Sequence, residues 1–284
     1  MKLSQRQVQH LFWRAGLFDN YITIQKFEGT TQEELWERLL KSSRKFTPLT
    51  VMDKNQFDFA TLRSMDKKER QMLFKQSREK VKMLNKKWFD HMSLTDGVLR
   101  ERMSLFWHNH FACSSRNVFF IQSYLNTVRK NALGNFGDLL RAVSKEPAML
   151  QYLNNQQNRK RKPNENFARE VMELFTIGRG NYTESDVKNA ARAFTGWSFN
   201  QSGEYVLRER QHDYGSKEIF GKTGNFSGDD VLNMLLEKKE TARFVTTKLY
   251  RYLVNDQPDE KVINDLTEVF YDSNYDTEVL LSAI

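Results

Sequence analysis

Along most of the chain, apolar residues recur at three- and four-residue intervals, the period of an α-helix with one buried face. Ser4 is placed to cap a first helix, in which Val8, Leu11, Phe12 and Ala15 form the buried side and Gly16 is the stop. Thr31-Gln-Glu-Glu34 reads as a capping box that opens a second helix through Leu35, Trp36, Leu39 and Leu40. Residues 44–64, with Pro48, are irregular. From Asp66 to about His91 the pattern is one long, very basic helix, with Met72, Leu73, Gln76, Lys80, Met83, Leu84, Lys87 and Trp88 on or beside one stripe. Further helices are expected between Leu94 and His110, over residues 119–133 and 136–143, and from Pro147, which suits a first helical turn, to about Asn154.

The stretch from Asn164 to Trp197 concentrates carboxylates, arginines and turn residues on two helices. At about 100° per residue, Phe167, Ala168, Val171, Met172, Leu174 and Phe175 share a core-facing side of the first. Glu165, Asn166, Arg169, Glu170 and Glu173 share the other, with Glu165 and Arg169 an i,i+4 pair. Gly178 reads as a left-handed stop, and Thr183 with Asp186 as a box-like start for the second helix. There Val187, Ala190, Ala191, Ala193, Phe194 and Trp197 make an apolar side and Arg192 faces away, so that in a helical hairpin it meets Glu170 or Glu173. One reading of the polar face is solvated ion pairs; the other is that Asn166, Glu170 and Glu173 enter a cleft as metal ligands or acid/base groups.

Beyond Trp197 the texture changes. Residues 198–208, around the turn-prone Asn200-Gln-Ser-Gly203, read as a small hairpin. His212-Asp213 follows on extended backbone, where neighbouring side chains point to opposite faces. The remainder is helical, over residues 229–236, 241–254, 258–271 and from Asp276 onward. The fold class is therefore mainly α, a single multi-helix globular domain of about ten helices over residues 1–284 with a minor β-hairpin.

Composition narrows the picture without adding chemistry. Aromatics at 13%, including 21 Phe, beside only 4 Pro and 13 Gly, describe a chain with material for a core. No apolar run reaches a membrane span and the first residues lack an uninterrupted apolar core, so the default address is cytoplasmic, with export alongside a partner as the alternative. Cys113 is the single cysteine and reads as a buried structural thiol. The net charge of +8 invites nucleic acid, but the basic residues at 67–68, 78–87 and 159–162 carry no recognition signature and read as solvated surface. The polar residues 154–163 form a loop, either solvated or a basic lid over the carboxylates.

The histidines at 108 and 110 share a helix. His110 lies amid Leu99, Met103 and Phe106, and His108 roughly 160° away, so the two do not chelate one metal on an intact helix. His110 reads either as a core histidine hydrogen-bonded to a neighbouring element or, like His108, as a ligand or base reaching a cleft.

Three separated motifs carry a resemblance: Asn164-Glu-Asn-Phe-Ala-Arg-Glu170 with the residues onward to Trp197, Arg100-Glu-Arg-Met-Ser-Leu-Phe-Trp-His-Asn-His-Phe111, and His212-Asp-Tyr-Gly-Ser-Lys217 with Gly221. They resemble a bacterial family catalogued as domain of unknown function 1800, whose members continue past the position of Ile284, so that the chain reads as a C-terminal truncation. The resemblance implies no catalytic role. The residues themselves suggest two functions. One is an enzyme, such as a metal-dependent hydrolase, with Glu170, Glu173, Arg192, His212 and Asp213 as catalytic residues and His108, His110, Glu170 and Glu173 as candidate ligands for a divalent metal. The other is a non-catalytic interaction or scaffold protein with a protein partner, whose polar residues form a buried network.

Overall fold

The computed structural model describes residues 2–17, 21–53 and 65–284. Its helices begin where the local chemistry places starts. Ser4 and Thr31 each close a reciprocal capping box, with Gln7 and Glu34, over α1 (Gln5–Ala15) and α3 (Gln32–Ser43). Such a cap contributes about 1 kcal/mol. Between them lies α2 (Tyr21–Phe27). Asp66 caps the long α4 (Lys67–Leu94), Asn117 caps α6 (Val118–Asn131), Asn135 caps α7 (Phe136–Ser144), and Pro147 takes the first turn of α8 (Pro147–Tyr152).

At the centre stands α5 (Val98–His110), a helix buried on nearly every side: Leu99, Arg100, Glu101, Met103, Ser104, Phe106, Trp107 and His110 are all inside. It packs against α1, α3 and α6. A helix so enclosed must satisfy its polar side chains internally, and it does so on the ends of its neighbours. Arg100 donates to the carbonyls of Ser43 (2.7 Å) and Arg44 (3.1 Å) at the end of α3, and to those of Arg129 (2.7 Å) and Lys130 (3.0 Å) at the end of α6. Trp107 Nε1 donates to Ala132 O at 2.9 Å. Beside Arg100, the buried Glu101 carboxylate accepts from Arg129 Nε and Nη2 and, at 2.7 Å, from Trp88 Nε1.

After α8, the signature segment forms only a short α9 (Asn166–Glu170), then widens into a π-helical turn at Val171–Phe175. Then come α10 (Glu184–Ala193), strands β1 (Trp197–Phe199), β2 (Tyr205–Leu207), β3 (Lys217–Ile219) and β4 (Lys222–Gly224), and helices α11 (Gly228–Glu237), α12 (Lys239–Leu253), α13 (Glu260–Asp272) and α14 (Thr277–Ala283). β1 pairs antiparallel with β2, and β3 with β4. The fold is thus mainly α, with fourteen α-helices and two small hairpins among the described residues.

Several local expectations change. The second hairpin lies in the glycine-containing segment after His212 and had no sequence counterpart. Trp197 begins β1 rather than extending a helix, because α10 stops at Ala193 and Gly196 turns the chain at φ +80°. A Cβ at Gly196 would sit 2.8 Å from Arg208 O, so both conformation and space require glycine. Ser227, with Asp230 in a capping box, opens α11 in place of Asp229, and Asp259 caps α13 just after Pro258. Along α4 only Leu84 and Trp88 are buried, in a satellite cluster with Leu49 and Leu125, while Met72 and Met83 face solvent. The expected irregular stretch is seen through Asp53, and residues 54–64 of it lie outside the described residues.

Candidate functional site

The π turn changes which residues of the signature helix face inward. A helix with i→i+5 bonding turns less per residue than an α-helix. Met172 and Phe175 stay in the core, but Leu174, expected there, is 44% exposed. Gly178, at φ +78°, ends the turn as a left-handed stop, its N–H on Met172 O at 3.0 Å. The widened turn leaves carbonyls without helical donors. Thr176 Oγ1 donates to Val171 O at 2.6 Å, and the other two bonds come from far along the chain. His110 Nε2 donates to Phe175 O at 3.0 Å, and Lys248 Nζ, from α12, donates to Leu174 O at 3.2 Å.

His110 is thereby the core histidine bonded to a neighbouring element. Burial, with Lys248 nearby, lowers its pKa to about 3, so it is neutral, with Nε2–H as donor. His108 lies on another side of α5 between Trp88 and Tyr124, at ring-centroid distances of 5.5 and 5.7 Å, its pKa also lowered by burial. Among the described residues no three His, Cys, Asp or Glu side chains form a group that could hold a metal ion.

The two glutamates of α9 and the π turn differ. Glu173 accepts from Tyr182 OH at 2.7 Å and from Arg179 Nε, and these two donors hold its carboxyl below the usual range. Glu170 is half-buried and accepts no hydrogen bond among the described residues; burial, then the charge of Glu173, raises its pKa. Arg192 reaches neither glutamate. The residue that joins the two helices is Arg169, which grips Glu184 through bonds of 2.8 and 2.7 Å and also reaches Glu165. Arg192 points to the other end of α10.

There three of the sequence-predicted residues meet. Arg192 Nε donates to Asp213 Oδ2 at 2.7 Å, and its Nη1 donates to Asn189 Oδ1 and Ser216 O. Burial opposes the Asp213 charge, but the Arg192 bond and the Gly215 amide outweigh it and lower the pKa. His212 is buried, donates from Nδ1 to Thr195 O at 2.7 Å and lies edge-on to Tyr214 at 4.6 Å. Thr195 Oγ1 donates to Arg192 O and accepts the Asp213 amide. Lys217, fully buried, caps the same loop by donating to Asp213 O (2.6 Å) and Gly215 O (3.0 Å). Adjacent side chains on extended backbone do diverge here, His212 inward and Asp213 toward Arg192.

Sequence reasoning missed the asparagines that hold the polar loop. Asn155 and Asn158 are buried: Asn158 Nδ2 donates to Ala191 O at 2.8 Å and its Oδ1 takes the Asn164 amide, while Asn155 Nδ2 reaches Phe194 O. Arg159 to Pro163 are exposed, as are Asn154 and Gln157, but Lys160 N is bonded to Gln211 O, so the loop is stitched down where a lid would have to swing. The available signal is the repeated Asn at 154, 155 and 158. Arg129 and Lys248 were also missed, and no local pattern singles either out from the other basic residues of its helix.

A fold in which polar side chains from one helix terminate others defines a helical domain whose motif residues hold its elements in register. The chain belongs to the family described as Protein of unknown function (DUF1800), which matches residues 10–284. No curated protein and no solved structure matches it. No helix among the described residues is long and apolar enough to cross a membrane.

Proposed function

We propose that the chain is a non-catalytic helical interaction module that works with a protein partner. One observation carries this reading: Arg100, Trp107, His110, Arg192, Asp213 and Lys217 of the motifs are engaged with main-chain carbonyls or ion pairs within the fold, joined by Lys248 from α12. Arg100, Trp107, His110, Lys217 and Lys248 all donate to carbonyl oxygens. Arg192 and Asp213 bond each other. Side chains engaged in this way contribute register and rigidity. A cytoplasmic address goes with this reading, with Cys113 as its lone thiol; export alongside the partner is the alternative.

A second reading has one observation in its favour. Glu170, half-buried and with a raised pKa, has the character of a general acid. On that reading the protein is a hydrolase, using Glu170 and Glu173 beside the Arg192, His212 and Asp213 cluster, with or without a divalent metal.

Calorimetric titration with Mg²⁺, Mn²⁺, Ca²⁺ and Zn²⁺, together with ester, phosphoester and peptide hydrolysis assays, separates the two. Wild type is run beside Glu170→Gln and Asp213→Asn. The interaction module predicts that the variants alter only thermal stability, with Asp213→Asn losing about 1–2 kcal/mol. Stoichiometric metal uptake, or turnover that a folded Glu170→Gln variant loses, overturns it.

A further inference from the structure

Among the described residues, the first half of α4 has much of its surface uncovered. The helix carries nine Lys and Arg against three Asp and Glu, and so holds six of the chain's eight net positive charges. Its second half is anchored by Leu84 and Trp88. Its first half is held to the body by Ser77, whose Oγ donates to Arg116 O at 2.8 Å and accepts the Val118 amide at 2.9 Å. That stitch fixes one wall of a cleft of about 720 Å³ between α4, residues 114–118 and the end of α8. Leu73, Phe74, Val118 and Tyr152 supply apolar lining, and Phe74 and Tyr152 are 45% and 48% exposed. Lys80 and Arg116 stand in the same cleft, and neither has a carboxylate partner among the described residues.

We propose that this cleft docks an amphipathic helix with acidic flanks, contributed by a partner protein. The apolar walls suit the i, i+3, i+4, i+7 face of such a helix, and Lys80 and Arg116 suit its carboxylates. A nucleic-acid duplex would use the cations through its phosphates but set nothing apolar against Leu73, Phe74 and Val118, and base stacking of a single strand on Phe74 or Tyr152 is the outcome that the oligonucleotide comparison detects. An anionic membrane would meet Glu79, set roughly 120° round the same helix from Leu73. The acidic helix is the occupant that uses both features. The inference rests on the interaction-module reading and supplies its partner chemistry.

The test uses the whole chain and a fluorescent peptide of about 18 residues, roughly five helical turns, with leucines at that spacing and glutamates beside them. A scrambled peptide of the same composition, phosphatidylglycerol vesicles and a single-stranded oligonucleotide are run alongside. The patterned peptide is expected to bind with salt-sensitive affinity at least about tenfold above the scrambled one. Lys80→Glu/Arg116→Glu and Phe74→Ala, with unchanged circular dichroism, should each weaken it by about tenfold. Equal binding of the two peptides, binding indifferent to these substitutions, or tighter binding to vesicles or oligonucleotide overturns the docking site. Failure here leaves the interaction module standing; that reading falls only to the metal and turnover measurements.

Discussion

His110 Nε2 donates to the carbonyl oxygen of Phe175 at 3.0 Å, a bond between two motifs 65 residues apart that closes the π turn. Its consequence depends on pH. Folded His110 has a pKa of about 3 against an ordinary value of 6.5, so the unfolded chain takes up that proton first. The stability that comes from burying His110 in its neutral form, beside Lys248, is complete above about pH 6.5 and is lost as pH falls toward 3. His110→Gln should be less stable than wild type at pH 7 by about 1–3 kcal/mol, and its urea midpoint should fall less between pH 6 and pH 4. Parallel pH profiles for the two proteins would refute this role.

Glu101 and Arg129 form a pair with side chains 1% and 0% exposed. Removing one charge leaves the other buried and unmatched, at a cost of about 3–5 kcal/mol. Glu101→Gln and Arg129→Met should each lose about that much in denaturant unfolding, and the double variant much less than their sum. Strict additivity would mean that the two do not interact as drawn.

The π turn makes a prediction opposite to helical periodicity. Met172 is fully buried and Leu174 is 44% exposed. Met172→Ala should cost about 2–5 kcal/mol, whereas Leu174→Gln should stay within about 0.5 kcal/mol of wild type. Thermal unfolding of the two variants decides it; comparable losses would put Leu174 back in the core.

Cys113 is half-buried. Burial first, and then the nearby Glu146 charge, pushes its thiol up to about 12. Since the thiolate is the reactive form, labelling by a disulfide reagent at pH 8 should be slow in the folded chain and rapid after denaturation. Equal rates would place the sulfur in water.

What the sequence determined by itself is local. Ser4, Thr31 and Thr183 are caps, Pro147 opens a helix, Gly178 ends one, and β1 with β2 forms the hairpin near Tyr205, because caps, turns and periods act over a few residues. The core position of His110 was legible as one of two readings, from its apolar neighbours on the wheel. Arg192 could be chosen as a clamp but not given its partner: a helical hairpin would offer it the carboxylates of α9 and the π turn, and its actual one, Asp213, arrives on a loop 21 residues later. Only the tertiary structure decided the π turn, the exposure of Leu174 and the burial of Asn155, Asn158 and Lys217. The physical reason is that a helix end accepts any donor that packing delivers. Arg100 finds Ser43 O across 57 residues and Lys248 finds Leu174 O across 74, pairings that no local period records.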